Sequence, residues 1–373
     1  MINKTLNENI QEEIKKHLII TAELLSKVST KVSGSRKRAN ILLLPDLGLP
    51  RGARRIHGGF FVGAFYFWDT SKIFIPVDST INSCGVSLFR LKHPVKSRKD
   101  FIKQISAAKE NVFKTSYLWN FNTSNHFISY GEITKSNFLE TGYYAIFHSS
   151  ACEFKLQYNG LYPSEDNWYH DSIKSIYSKK ANRYIRYIDG RKAEEFFKTA
   201  QMIGVYNQIR HQRFAEMIFS KNNVEEEVIY SEHYGMPTSN SIAIGCQWLY
   251  EEGPYLLLTT KKSPVYIILA KKGFENTITV DNQDLILVPH GVGNISLIGD
   301  KINYGLKNIT VGNKSIKLNE KFEFGKDIAV RKFINSKCND KEAVTLDKIL
   351  SKCPGKVLGK IKQKYNYNQD SDH

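Results

Sequence analysis

Between Glu8 and Val28, Ile10, Ile14, Leu18, Leu25 and Val28 recur at helical spacing with Lys and Glu between them. That spacing predicts an amphipathic helix. The period then shortens. Ile41-Leu42-Leu43-Leu44, stopped by Pro45-Asp46, reads as a buried strand, and Phe60 to Phe67 and Ile73 to Val77 read as two more. From Asp189 to Phe219 the spacing of Ala193, Phe196, Phe197, Ala200, Ile203, Gly204, Tyr206 and Asn207 predicts a long helix. Beyond it, Trp248-Leu249-Tyr250, Tyr255-Leu256-Leu257-Leu258, Tyr266-Ile267-Ile268-Leu269 and Leu285-Ile286-Leu287-Val288 predict short strands separated by Gly, Asn, Asp or Lys clusters. This order lacks the strand-helix-strand alternation of a doubly wound sheet, so the fold class is α+β. No repeat or linker divides the chain. One domain is expected over residues 1–364, with a polar, frayed end from Tyr365 to His373.

Composition narrows the class. The 373 residues are 41% hydrophobic and 12% aromatic, which excludes a disordered chain. No run approaches the roughly 18 apolar residues of a membrane span, and Glu8, Glu12 and Glu13 are foreign to a signal peptide. A cytoplasmic protein with no membrane partner is expected. Cys84, Cys152, Cys246, Cys338 and Cys353 are odd in number and form no CxxC pair, against a disulfide framework or a zinc finger. The 53 Lys+Arg against 37 Asp+Glu give +16, a balance that favours polyanions such as nucleic acid. A lysine-rich solvated surface accounts for it equally well. The basic turn Ser33-Gly34-Ser35-Arg36-Lys37-Arg38 reads as a solvated loop.

The Walker A loop, GxGxxG, GxSxG and HExxH are all absent, which removes the commonest nucleotide cradles, serine hydrolases and zincins. Four settings stand out instead: Asn82-Ser83-Cys84-Gly85-Val86, Ser124-Asn125-His126-Phe127, Phe147-His148-Ser149-Ser150 and Pro289-His290-Gly291-Val292-Gly293. Most lie at the edge of an apolar run, where a chain leaving a strand presents side chains to a cleft. Singly, each is an ordinary core histidine or inert thiol. Together, a thiolate and imidazoles are ligands for an ion such as Zn, or Mn if oxygen ligands join. Gly291 and Gly293 would let backbone approach a bulky anion, which suits His290 to reaction with a phosphate.

Read in order, these segments resemble the RtcB family of RNA ligases over most of the chain. Pro45-Asp46-Leu47 with Gly59 to Gly63 resembles that family's Pro-Asp-x-His and glycine segment, and the stretch to Cys84-Gly85-Val86 its Asp-x-x-Cys-Gly metal motif. Ser124-Asn125-His126-Phe127 is similar to Gly-Asn-His-Phe, and His148-Ser149-Ser150 to His-Ser-Gly-Ser-Arg. Gly204-Val205-Tyr206-Asn207-Gln208 resembles the Ala-x-x-Asn-Arg helix, Lys261-Lys262-Ser263-Pro264 stands where Arg-Lys-Gly-Ala is expected, and His290-Gly291-Val292-Gly293-Asn294 matches His-Gly-Ala-Gly-Arg. A second registration is open, in which Val288 to Gly293 matches an earlier Ile-Pro-Gly-Ser-Met-Gly segment. The nucleophile position then falls near Val311-Gly312-Asn313, without a histidine.

The resemblance implies a single domain of mixed sheets and flanking helices around a metal and nucleotide cleft. It implies a monomer that joins RNA ends bearing a 3′-phosphate or 2′,3′-cyclic phosphate to 5′-hydroxyl ends, with GTP as co-substrate and two Mn ions. His290 would be the guanylated nucleophile, Cys84, His126 and His148 metal ligands, and Asn125, Asn207, Gly291 and Gly293 nucleotide contacts. The pattern is incomplete. Family ligand positions fall on Ile81 and Ser239, and family arginine positions on Cys152, Gln208 and Asn294. Asp78 and His233 are nearby substitutes for the two ligands, and surface polar roles are the alternative for both. The rival expectation is therefore a catalytically impaired RNA-binding or end-sensing protein, with a metal-dependent phosphoesterase third.

Overall fold

The computed structural model describes residues 1–6, 9–50, 53–121, 123, 125–154, 157–158, 167–260, 263–273, 276–292, 301–305, 308–312, 314–317, 346–353 and 355–368. It is mixed α+β, with four helices that matter here: α1 (Asn9–Ser33), α2 (Ala53–Gly58), α3 (Arg98–Val112) and α4 (Gly190–Phe219). Helix α1 buries the apolar stripe read from the sequence, Ile10, Ile14, Leu18, Leu25 and Val28, in one core with Ala193, Phe196, Ala200 and Ile203 of α4. Among the described residues, no helix is long and apolar enough to cross a membrane.

A seven-stranded sheet is the centre of the molecule. Its spatial order is Val224–Glu232, Gly85–Leu91, Gly142–Ser149, Phe127–Ile133, Gly355–Tyr367, Val265–Ala270 and Gly253–Leu257. Each neighbouring pair whose register is described runs antiparallel. One face packs Phe89, Phe147, Ile128 and Tyr130 against Phe101, Ile105 and Ala108 of α3 and Phe214, Ala215 and Ile218 of α4. The other face carries Val86, Leu88, Ile146 and Ile267. Beside it stand a five-stranded sheet that includes Ala39–Gly48 and Val62–Trp68, and a three-stranded sheet of Cys246–Leu249, Gln283–Pro289 and Thr277–Val280.

Two expectations change. The strand at Ile41 is not stopped by Pro45-Asp46 but runs to Gly48, with a register shift against its partner between Leu43 and Gly48. A proline is tolerated at such a bulge because no ladder hydrogen bond is asked of it. The end of the chain, expected to be frayed from Tyr365, is held to Tyr367 by pairing with Phe127–Ile133, and Tyr365 stacks on Tyr130. Residues 369–373 of that tail lie outside the described residues.

Buried imidazoles make this fold acid-sensitive. His57 is fully buried, and desolvation holds it down at about 4. Unfolded histidine titrates near 6.5, so below that pH the unfolded chain takes up a proton that the folded chain refuses. Stability present above pH 6.5 is therefore lost as pH falls toward 4, by roughly 3 kcal/mol from His57 alone. His211, pushed well below its ordinary value first by burial and then by Arg210, acts in the same direction. Urea unfolding at pH 7 and pH 4.5 checks the result. Equal midpoints would mean that these rings find a proton partner when folded.

Candidate functional site

Alternating strand direction brings the singled-out residues together. Cys84 immediately precedes Gly85–Leu91, His126 precedes Phe127–Ile133, His148 lies near the end of Gly142–Ser149, and His233 follows Val224–Glu232. Four adjacent antiparallel strands therefore present a start, a finish, a start and a finish at the same edge. The register confirms it, with His148 opposite both Val86 and Phe127, and Glu232 opposite Gly85.

Three of the side chains, Cys84, His148 and His233, converge to ligand spacing, and His126 approaches the sulfur. Cys84 Sγ lies 3.4 Å from His148 Nε2 and 3.6 Å from His126 Nε2, and His148 Nε2 lies 3.1 Å from His233 Nε2. Tetrahedral zinc-type bond lengths give edges of about 3.3 Å between two nitrogens and about 3.5 Å between nitrogen and sulfur. Cys84, His148 and His233 satisfy that test as a buried three-ligand group, with His126 alongside on the sulfur. Backbone carbonyls set two of the tautomers. His148 Nδ1 donates to Asn125 O at 3.0 Å and His126 Nδ1 to Asn120 O at 3.2 Å, so each Nε2 keeps a lone pair aimed at Cys84. His233 is held well below its ordinary pKa, first by burial and then by the neighbouring histidines, which keeps it a neutral ligand. Without an ion, a neutral His233 or the Cys84 thiol can donate to His148 Nε2; with one, all three atoms can turn lone pairs to it.

His290 arrives from another sheet. It follows Gln283–Pro289, and its peptide carbonyl accepts from Leu258 N at 3.2 Å. Its Nδ1 is 2.6 Å from Oδ2 of Asp46, and its ring stacks on His233 with centroids 5.1 Å apart. Asp46 is buried on the bulged strand, and its other carboxylate oxygen has no hydrogen-bond partner among the described residues. Two glycines make this approach possible. Gly63 (φ 76°) passes so close that a Cβ would lie 2.6 Å from the Asp46 carbonyl carbon, and at Gly245 (φ 59°) a Cβ would lie 3.1 Å from Cε1 of His290.

Of the expected nucleotide contacts, Asn125 is exposed at the rim and Gly291 is buried in a bridge to Leu258. Gly293 lies outside the described residues. Asn207 is fully buried beneath the site, where its amide donates to the carbonyls of Ser83 at 3.1 Å and Ser149 at 2.9 Å. Its amide nitrogen is thus committed to the backbone on either side of the site. It braces Ser83, a left-handed residue (φ 49°) that turns the chain into Cys84.

The two proposed substitute ligands separate. His233 joins the cluster. Asp78 does not, because Arg186 holds it: Nε and Nη2 reach Oδ1 at 2.9 and 2.6 Å, and the peptide N reaches Oδ2 at 3.1 Å. Asp78 is fully buried, and the guanidiniums of Arg186 and Arg54 hold its carboxyl below the usual range against the opposing effect of burial. Asp78→Asn should therefore leave divalent-ion affinity unchanged and cost about 3–5 kcal/mol of stability by stranding a buried guanidinium. Denaturant unfolding and calorimetric ion titration check both parts. Weakened ion binding at full stability would return Asp78 to the site.

Sequence reading passed over Asp46 as a partner of His290, and it passed over Asn120, Arg210 and His211. The spacing of Asn207, Arg210 and His211 along α4 was the available signal, since three polar residues on a buried face need partners there. The chain matches no known family among family models and no curated protein. The donor set is nitrogen and sulfur, with no carboxylate in the group among the described residues. Glu232 precedes His233, and burial pushes its carboxyl up to about 8, neutral at pH 7. One borderline divalent ion fits these donors.

Proposed function

We propose that this chain is a divergent RtcB-like ligase that joins RNA 3′-phosphate and 5′-hydroxyl ends through a guanylated His290. The observation that carries this reading is the 2.6 Å contact between Asp46 Oδ2 and His290 Nδ1, beside the Cys84, His148 and His233 cluster. It favours the registration in which His290 is the nucleophile. A carboxylate on Nδ1 fixes the proton there and leaves Nε2 with the lone pair needed to attack phosphorus.

Nε2 then bonds the α-phosphorus of GTP while the bond to pyrophosphate breaks. Asp46 stabilises the imidazole as it becomes cationic. The guanylate passes from His290 to an oxygen of the RNA 3′-phosphate, and the 5′-hydroxyl displaces GMP to form the phosphodiester. Cys84, His148 and His233 would hold a divalent ion, which would supply positive charge for the phosphate oxygens. Incubation with α-labelled GTP and a divalent ion should leave acid-labile label on the chain, and consumption of paired RNA ends should follow.

The second reading, an RNA-end binder without turnover, is favoured by the fate of the cations. Arg210, the arginine nearest the missing helix position, is buried against Glu153, and Gln208 bonds Glu227. Labelling that fails with every divalent ion tried, in protein that still binds RNA with a 3′-phosphate, selects that reading.

A further inference from the structure

We infer that Arg210 of α4, acting through Asn120, is a positioning residue that sets the ligand orientation of His126. The inference rests on the reading of Cys84, His126, His148 and His233 as an ion site.

The Asn120 carbonyl accepts from His126 Nδ1 and so turns Nε2 toward the Cys84 sulfur. That carbonyl belongs to a loop residue, yet both ends of the Asn120 side chain are tied. Its Oδ1 accepts from Arg210 Nη2 at 2.8 Å and its Nδ2 donates to Ser150 O at 2.7 Å. Arg210 also donates to Leu118 O at 2.6 Å and Ser149 Oγ at 2.7 Å, and it pairs with Glu153 at 2.8 Å. One planar guanidinium thus straddles the two segments that carry His126 and His148. An ammonium cannot reproduce this fork.

Its neighbours on the helix address the same segments. Asn207 bonds the carbonyls that adjoin Cys84 and His148, and His211 bridges Ser87 Oγ and Ser149 Oγ at 2.7 Å each. Burying a charged pair adds little to stability compared with apolar packing. Here half of the row's eight described side-chain hydrogen bonds end on Ser83 or Ser149, next to Cys84 and His148, and a further one ends on Asn120, whose carbonyl holds His126, as expected of groups that orient ligands.

Cobalt titration of wild type, Asn120→Ala, His126→Ala and the double variant, read by absorption, tests this. The loss of Asn120 should weaken cobalt binding about 10- to 100-fold. The double variant should bind little more weakly than His126→Ala alone, because the Asn120 carbonyl meets the site at that ring, whereas its amide reaches only Ser150 O, two residues beyond His148. Thermal unfolding in chelator separates affinity from stability. Arg210→Lys should weaken binding as Asn120→Ala does, and if it does not fold, Asn120→Ala still decides. Wild-type affinity in Asn120→Ala, or additive losses in the double variant, overturns the inference. A His126→Ala protein with unchanged cobalt spectrum and affinity removes His126 from the ion site, and absence of cobalt binding by the wild type removes the ion site itself.

Discussion

Replacing His290 by alanine should abolish covalent guanylylation and end joining while leaving fold and divalent-ion binding unchanged. The ring is the nucleophile in the proposed reaction and is not one of the ligands, touching the group only by stacking on His233, so the two properties separate. Asp46→Asn is the sharper variant, because it keeps the volume and the hydrogen bond but presents the wrong charge to Nδ1. Loss of a carboxylate that fixes a catalytic imidazole costs roughly 10²- to 10⁴-fold in rate, and the same loss is expected in labelling rate here. Label that persists in His290→Ala would rule out this histidine as the acceptor. Full labelling in Asp46→Asn would reduce the 2.6 Å contact to a packing feature.

The second large effect belongs to Cys84. Its sulfur is the atom that both His126 and His148 approach, so Cys84→Ser removes the soft ligand shared by the set. Since loss of a group that merely orients a ligand costs about 10- to 100-fold, loss of the thiolate should weaken ion binding by more than about 100-fold. The serine hydroxyl is nearly isosteric and can donate to His148 Nε2 where the thiol stood, so unfolding in chelator should change little. Calorimetry with zinc, cobalt and manganese reads both the affinity and the order of preference. Tight binding of two manganese ions would contradict a site built from one sulfur and three nitrogens.

What the sequence disclosed of this site follows from distance along the chain. Cys84, His126 and His148 each adjoin an apolar run, and that local signal was enough to single them out. His233 was offered only as a substitute. Its place depends on the pairing of Val224–Glu232 with Gly85–Leu91, and the Glu225-Glu226-Glu227 run disguises that strand as a solvated segment. Asp78 looked equally suitable by spacing and was lost to Arg186, 108 residues away. The same limit hid α3. Its buried stripe of Phe101, Ile105, Ala108 and Val112 is narrow and set among Lys, Asp, Gln and Glu, so only docking on the sheet reveals its value. The long helices were legible because their stripes are wide, as α1 shows.

The order of strands at the ligand edge gives the site a second meaning. Residues 84, 126, 148 and 233 meet only when four strands from distant parts of the chain have found their neighbours. Side chains alternate between faces, so a slip of one residue in any of these pairings would turn a ligand to the opposite side of the sheet. A misassembled chain could keep most of its hydrogen bonds and still be blind to the ion. In the proposed reading, ion capture would report completed sheet assembly, because only molecules whose long-range pairing is complete present Cys84, His148 and His233 together.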